Sequence, residues 1–284
     1  MTLPETLFAG ISEAPLVSHH AVAGGSINDC FHLMLADGQA FFLKRNKAAA
    51  YPEMFEAEAK GLDLLKNAGA SVPEVISLAL DEQFRYLLLS WHPPEGETPE
   101  SHAKAGEMLA RLHKMENTHF GLDHDNYMGS VQQKNDRYTD FSDFWANCRI
   151  IPLVEKCRDL NYLNRSDTKN MEQLLIKTHS LVPKPKPSLI HGDLWSGNFH
   201  PSGGKIMLID PAVAFSHPEA DLAMMHLFGS PSKHFMQAYT DENAPEQGFG
   251  ERFDFFNIYP LLIHLILFGE AYYAQLRDKV QKMS

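Results

Sequence analysis

The sequence predicts an α+β protein of two lobes, a small N-terminal antiparallel β-sheet with one helix followed by a larger, mainly helical part. Three observations predict it. β-rich runs separated by turn residues fill the chain from Val22 to about Leu89. The segment Pro93-Pro94-Glu95-Gly96-Glu97-Thr98-Pro99 then breaks all regular structure. Beyond it helical spacing dominates, interrupted by one β-rich interval from Ser188 to Asp210. The 284 residues suit two units at roughly 150 residues each, divided here into 1–92 and 93–284.

In the first lobe, Ser26 to Leu35 and Gln39 to Lys44 flank Ala36-Asp37-Gly38, a glycine-containing link of hairpin length. Phe55 to Asn67 has the period of a helix, and Phe84 to Trp91 is an apolar run the length of one buried strand. In the second lobe, helical spacing covers Glu100 to Met115, Phe141 to Leu160, Asp167 to His179, Asp221 to Phe228 and Phe253 to Lys282. The β-rich interval is entered through Pro183-Lys184-Pro185-Lys186-Pro187 and bends at Pro201-Ser202-Gly203-Gly204. The longest apolar stretch, Leu261 to Phe268, is too short to span a bilayer and is interrupted by His264, so it reads as a buried helix.

Composition excludes several classes. With 44% apolar and 21% charged residues the chain is an ordinary globular one. A formal net charge of −11 is the opposite of a nucleic-acid binder's basic footprint, so any anionic ligand must be held locally. Cys30, Cys148 and Cys157 have no CxxC spacing, which argues against a disulfide framework or a zinc ribbon. Cys30, beside a glycine turn, reads as a buried or a redox-sensitive thiol. The start, MTLPETLFAG, lacks the basic and apolar regions of a secretory signal, and a cytoplasmic location without membrane attachment is expected.

The chemistry concentrates in His191-Gly192-Asp193-Leu194-Trp195-Ser196-Gly197-Asn198 and in the run Lys205 to Asp210, a strand ending in a carboxylate. Asp193 and Asn198 have the D-x-x-x-x-N spacing of a kinase catalytic loop, with Asp210 in the place of the later metal-binding aspartate. Phosphoryl transfer needs such a set: a carboxylate to accept the proton of the attacking hydroxyl, and an amide oxygen and second carboxylate to hold Mg²⁺ on the phosphates of ATP. Asp193 is thus read as the base, Asn198 and Asp210 as metal ligands, and His191 as a packed residue that orients the loop. Upstream, strand alternation puts Lys44 on the face of Phe42. Glu58 falls within the apolar stripe of Phe55, Leu62 and Leu65, where it either reaches water at the stripe edge or takes Lys44 as its partner. Gly24-Gly25-Ser26 could offer backbone N–H groups to phosphates. Leu89-Ser90-Trp91 has the shape of an interlobe connector whose backbone meets an adenine edge, or of a plain buried strand. Asp221 opens a helical run and is read as both a favourable N-terminal charge and a support for the catalytic-loop backbone.

Taken together, GGSIN at 24–28, FFLKRN at 41–46, MFEAEAKGLDLL at 54–65, FGLDHDN at 120–126, HGDLWSGN at 191–198, IDPAV at 209–213 and HPEADLAM at 217–224 resemble the fructosamine kinase (ketosamine 3-kinase) family, a branch of the aminoglycoside phosphotransferase-like kinases. The resemblance implies a protein-kinase-like fold and ATP-dependent phosphorylation of the 3-hydroxyl of a ketosamine, either a small molecule or a glycated amine. It makes Asp193 the base, Asn198 and Asp210 the Mg²⁺ ligands, Lys44 the phosphate-binding lysine and Glu58 its partner. It places Trp195 against the sugar and suggests His217 as a second substrate contact. Ser216 and Pro218 depart from the glycine and arginine expected there. Aminoglycoside, choline or homoserine kinase-like activity is the alternative within phosphotransferases, and a non-catalytic nucleotide-binding protein the alternative outside them.

Overall fold

The computed structural model describes residues 3–22, 27–184 and 186–283; Gly24, Gly25 and Ser26 lie outside them. The first sheet is antiparallel, with β1 (Leu16–Ala21), β2 (Asp29–Leu35), β3 (Ala40–Lys47), β4 (Val75–Leu80) and β5 (Phe84–Ser90) in the spatial order β1-β2-β3-β5-β4. The turn expected between β2 and β3 is present: Gly38 takes φ +86° and Asp37 accepts from the Gln39 N–H at 3.0 Å. Alternation along β3 sends Phe41 and Leu43 into one core with Leu33, Leu35 and Leu88. Phe42 and Lys44 face the other way, where α1 (Met54–Asn67) covers the sheet through Phe55 and Leu62 on Leu87 and Leu89. Strands β1 and β4 carry little sequence signal because both are edges, with Val17, Leu78 and Leu80 exposed, so backbone pairing more than side-chain pattern holds them.

The chain leaves β5 through an irregular segment and enters α2 (Pro99–His113), capped by Thr98 in a reciprocal box with Ser101 and with proline at its start. The irregular segment docks on a hairpin from about a hundred residues further along the chain. His200 Nε2 meets the His92 carbonyl at 2.8 Å, and the Glu95 N–H donates to the Pro201 carbonyl at 2.8 Å. After the hairpin of β6 (Asn126–Met128) and β7 (Val131–Gln133) come α3 (Phe141–Phe144), a π-helical stretch Trp145–Ile150, α4 (Ile151–Asp159) and α5 (Arg165–Leu181). The single helix expected over 141–160 is therefore divided. Pro152 has no N–H for the Cys148 carbonyl, which accepts from Arg149 Nη1 at 3.1 Å instead.

The β-rich interval becomes β8 (Ser188–Ile190) and the hairpin β9 (Phe199–Ser202) and β10 (Lys205–Leu208); β8 pairs with β11 (Ala214–Ser216). Last come α6 (Glu219–Leu227), α7 (Lys233–Glu242), α8 (Phe253–Phe256), α9 (Ile258–Phe268) and α10 (Tyr273–Met283). The helix expected from 253 to 282 is broken at Gly269, whose φ +79° and ψ −162° lie outside any helix. Helix α7 was missed because it buries only Phe235 and Tyr239, too narrow a stripe to register in sequence. Among the described residues no helix is long and apolar enough to cross a membrane.

Helix α7 lies tightly on α2. A Cβ at Gly106 would sit 2.2 Å from the Phe235 carbonyl oxygen, so the two backbones touch where glycine stands. Gly106→Ala is expected to cost about 1–3 kcal/mol by overpacking. Thermal unfolding would show a midpoint several degrees lower, and an unchanged midpoint would contradict the close approach.

Candidate active site

Lys44 is buried on β3 and its ammonium bridges two carboxylates, Glu58 Oε1 on α1 at 2.5 Å and Asp210 Oδ1 at 2.5 Å. Burial alone would lower the lysine pKa, but Asp210 and Glu58 outweigh it and hold the ammonium charged. Burial raises Glu58 above the usual carboxylate range, and Lys44 opposes that rise. Of the two readings of Glu58, the paired one describes its position. Asp210 is different: it has φ +54° and its side chain is 48% exposed at the cleft.

The loop after β8 is held from behind. Asp221 accepts from the His191 N–H at 2.7 Å and the Gly192 N–H at 2.9 Å, while His113 Nε2 stands 3.2 Å away and its Nδ1 meets the Tyr239 hydroxyl at 2.8 Å. Asp221, His113 and Tyr239 are all buried. His191 binds the Ile209 carbonyl through Nε2 at 3.0 Å, which requires a hydrogen there and leaves Nδ1 to accept from the Asp193 N–H at 3.3 Å. Burial lowers the His191 pKa, keeping this neutral tautomer. Gly192 has φ +84°, and a Cβ there would lie 2.0 Å from the Ala212 carbonyl oxygen. The loop and the segment just after Asp210 are thereby drawn into contact.

These constraints bring Asp193, Asn198, Asp210, Lys44, Glu58 and Trp195 around one cleft. Burial, then the charge of Asp210, push the Asp193 carboxyl up to about 7, against the lowering effect of Asn198. Asn198 Nδ2 donates to the Asp193 carbonyl at 2.7 Å and to Asp193 Oδ2 at 3.1 Å. With the amide nitrogen committed, its Oδ1 is the atom left for a cation. Among the described residues no three His, Cys, Asp or Glu side chains form a metal cage. Two oxygen donors instead fit a divalent cation that completes its shell with phosphates and water. Trp195 lies over Gly197, where a Cβ would come within 2.2 Å of the ring, and keeps 37% exposure beside the cleft.

Leu89 is buried with Phe55 and Leu62, Ser90 Oγ accepts from the Glu74 N–H at 2.8 Å, and the Trp91 ring packs 4.2 Å from that of His32. His217 corrects the sequence reading as a substrate contact. It is 4% exposed, packs between Phe141 and Phe256, and its Nδ1 accepts from the Glu219 N–H at 3.1 Å. The Cys30 thiol lines the cleft and is pushed up to about 11 by burial.

Sequence reasoning missed the supports on the far side of Asp210. Asn126 Nδ2 donates to the Val213 carbonyl and Gln133 Nε2 to the Ala212 carbonyl, at 2.9 and 3.1 Å, and the Tyr259 hydroxyl donates to Gln133 Oε1 at 2.5 Å. Asn126 closes the FGLDHDN stretch and could have been found there, but Gln133, Tyr239 and His113 carry no local signal.

A sheet-plus-helix fold with a lysine, a loop carboxylate, an amide and a second carboxylate just past a strand around one cleft defines a phosphotransferase of the kinase class. A sequence profile of fructosamine kinases matches residues 9–284, and the chain belongs to that family. A Vibrio parahaemolyticus protein named a probable ketoamine kinase is 33% identical over 269 residues, covering 92% of this chain and 91% of its own. A Lactiplantibacillus plantarum protein of the same name is 34% identical, covering 96% of both chains. A solved structure from Thermobifida fusca, provisionally named a fructosamine-3-kinase, superposes with a TM-score of 0.87 at 32% identity, covering 97% of this chain and 94% of that one. An aminoglycoside phosphotransferase solved with AMP-PNP and hygromycin B, at TM-score 0.66 and 15% identity, shares the fold over 97% of this chain and 95% of its own.

His217 supplies a test of its burial. Desolvation, then Arg252 and His113, lower its pKa from 6.5 to about 3, so protons favour the unfolded chain. Its contribution is complete above pH 6.5 and is lost as pH falls toward 3, amounting to about 2 kcal/mol between pH 7 and 5. Denaturant unfolding of His217→Phe should show a shallower loss of stability over that interval; an unaltered slope would place the imidazole in water.

Proposed function

We propose that the chain is an ATP-dependent kinase that phosphorylates a sugar hydroxyl, the 3-hydroxyl, of ketosamines such as fructosamine or ribulosamine. The observation that carries this reading is the convergence of Lys44, Asp193, Asn198 and Asp210 on one cleft in a chain of the fructosamine kinase family. Lys44 would take the α- and β-phosphates, with Glu58 keeping its ammonium in place. Asn198 Oδ1 and the Asp210 carboxylate would hold Mg²⁺, which neutralises charge on the phosphates when bound. Asp193 accepts the proton of the sugar hydroxyl as it attacks the γ-phosphate in line, and the raised affinity of its carboxyl for a proton suits that task.

The nucleotide would lie between residues 1–92 and 93–284, with the backbone N–H groups of Gly24, Gly25 and Ser26, outside the described residues, offered to its phosphates. Trp195 offers an aromatic face to the sugar. The use of ATP fits a cytoplasmic location, and the acidic balance of the chain suits an acceptor that carries a protonated amine.

Asp193→Asn is expected to lower kcat by about 10²- to 10⁴-fold, the usual contribution of a general base, while calorimetry finds nucleotide affinity largely retained. Turnover near that of the wild type would remove Asp193 from the role of base. ATP consumption against ribulosamines, fructosamines, aminoglycosides and choline tests the acceptor: turnover is expected with the ketosamines, and its absence on all of them would overturn the reading.

A further inference from the structure

The longest apolar stretch of the chain reaches the cleft wall once directly and once through an intervening ring. At Gly129, which lines the cleft in the β6–β7 turn, a Cβ would lie 2.8 Å from Leu267 Cδ1 at the end of α9. Trp195, also of the cleft wall, meets the edge of Phe228 with centroids 6.2 Å apart, and Phe228 lies 4.5 Å from the imidazole of His264. His264 in turn lies 5.0 Å from Tyr272 and 5.4 Å from Phe268. A continuous row of rings thus runs from the cleft wall to Phe268, which is 52% exposed. One exposed phenylalanine needs no explanation, but an exposed end joined ring by ring to a reaction cleft does.

The row has a polarity as well as a shape. None of its five side chains carries a fixed positive charge. His264 Nδ1 stands 2.7 Å from the Pro260 carbonyl oxygen, which only accepts, so Nδ1 holds the hydrogen. Nε2 is left as an acceptor without a partner among the described residues. Aromatic faces and a lone acceptor nitrogen suit an ammonium group and a flat apolar substituent attached to it.

We infer that the row from Trp195 through Phe228 and His264 to Phe268 and Tyr272 is a subsite for the amine substituent of the acceptor, selecting ketosamines whose nitrogen carries an aromatic group. The inference rests on the reading of the chain as a ketosamine kinase. A ketosamine has two ends: with the sugar on Trp195 and its hydroxyl at Asp193, the substituted nitrogen is the end that leaves the cleft. The rings provide an apolar path beginning at Trp195.

The test compares two adducts of one ketose, those of benzylamine and methylamine, with the intact chain and saturating Mg·ATP. The benzylamine adduct is expected to have a kcat/KM about tenfold higher, expressed in KM, and Phe268→Ala should bring the ratio to within about twofold of unity while Phe268→Trp keeps it. Tyr272→Leu provides a second variant, read in the same way. Equal kcat/KM for the two adducts in the wild type, or a preference that survives Phe268→Ala and Tyr272→Leu alike, would overturn the subsite and leave the kinase reading standing. Turnover of neither adduct would instead overturn the ketosamine reading, and the subsite with it.

Discussion

One ammonium group ties the molecule's parts into a site. Lys44 emerges from the sheet, Glu58 from the helix that covers it, and Asp210 from just past a strand far along the chain, and the three meet at 2.5 Å contacts. A buried lysine without a carboxylate would be neutral or expelled, and a buried glutamate without a cation equally so. Each therefore stabilises the charged form of the other, and the orientation of α1 on the sheet follows. The third contact is of another kind, because Asp210 is half-exposed and shares Lys44 with Glu58. Two carboxylates on one ammonium leave an excess negative charge at the cleft.

The catalytic loop depends on a second charge that never reaches the cleft. Asp221 is 1% exposed and takes two consecutive backbone N–H groups of the loop, while His113 and Tyr239 stand behind it. These bonds fix the backbone of the His-Gly-Asp turn, which matters because positioning is most of what a kinase supplies. His191 does the complementary work in front, joining the loop to the strand before Asp210 through a single neutral tautomer. The segment after Asp210 is clamped from the far side by Asn126 and Gln133. Asp193, Asn198 and Asp210 are thus fixed to a common frame, not to separate loops.

Much of this was legible in the sequence wherever the signal was local. The β2–β3 turn, the α1 stripe interrupted by Glu58, and the five-residue step from Asp193 to Asn198 are each carried by neighbouring residues. Helix breaks were legible in principle but are masked by their surroundings: Pro152 and Gly269 sit inside stretches whose apolar spacing continues across them, and the spacing prevails over the breaker. His217 misled for the opposite reason, since a histidine beside a motif looks like chemistry until its aromatic cage is known.

The sequence by itself determined which residue types carry the chemistry and roughly where sheet gives way to helix, because those depend on spacing and periodicity along the chain. Only the tertiary structure decided that Lys44 holds Asp210 as well as Glu58, that Asp221 works through His113 and Tyr239, and that the end of α9 meets the cleft. These partners are separated by up to 166 residues. Contacts of that kind leave no periodic trace in the chain, since they are set by how packed elements stack and by the need to satisfy every buried charge and N–H group.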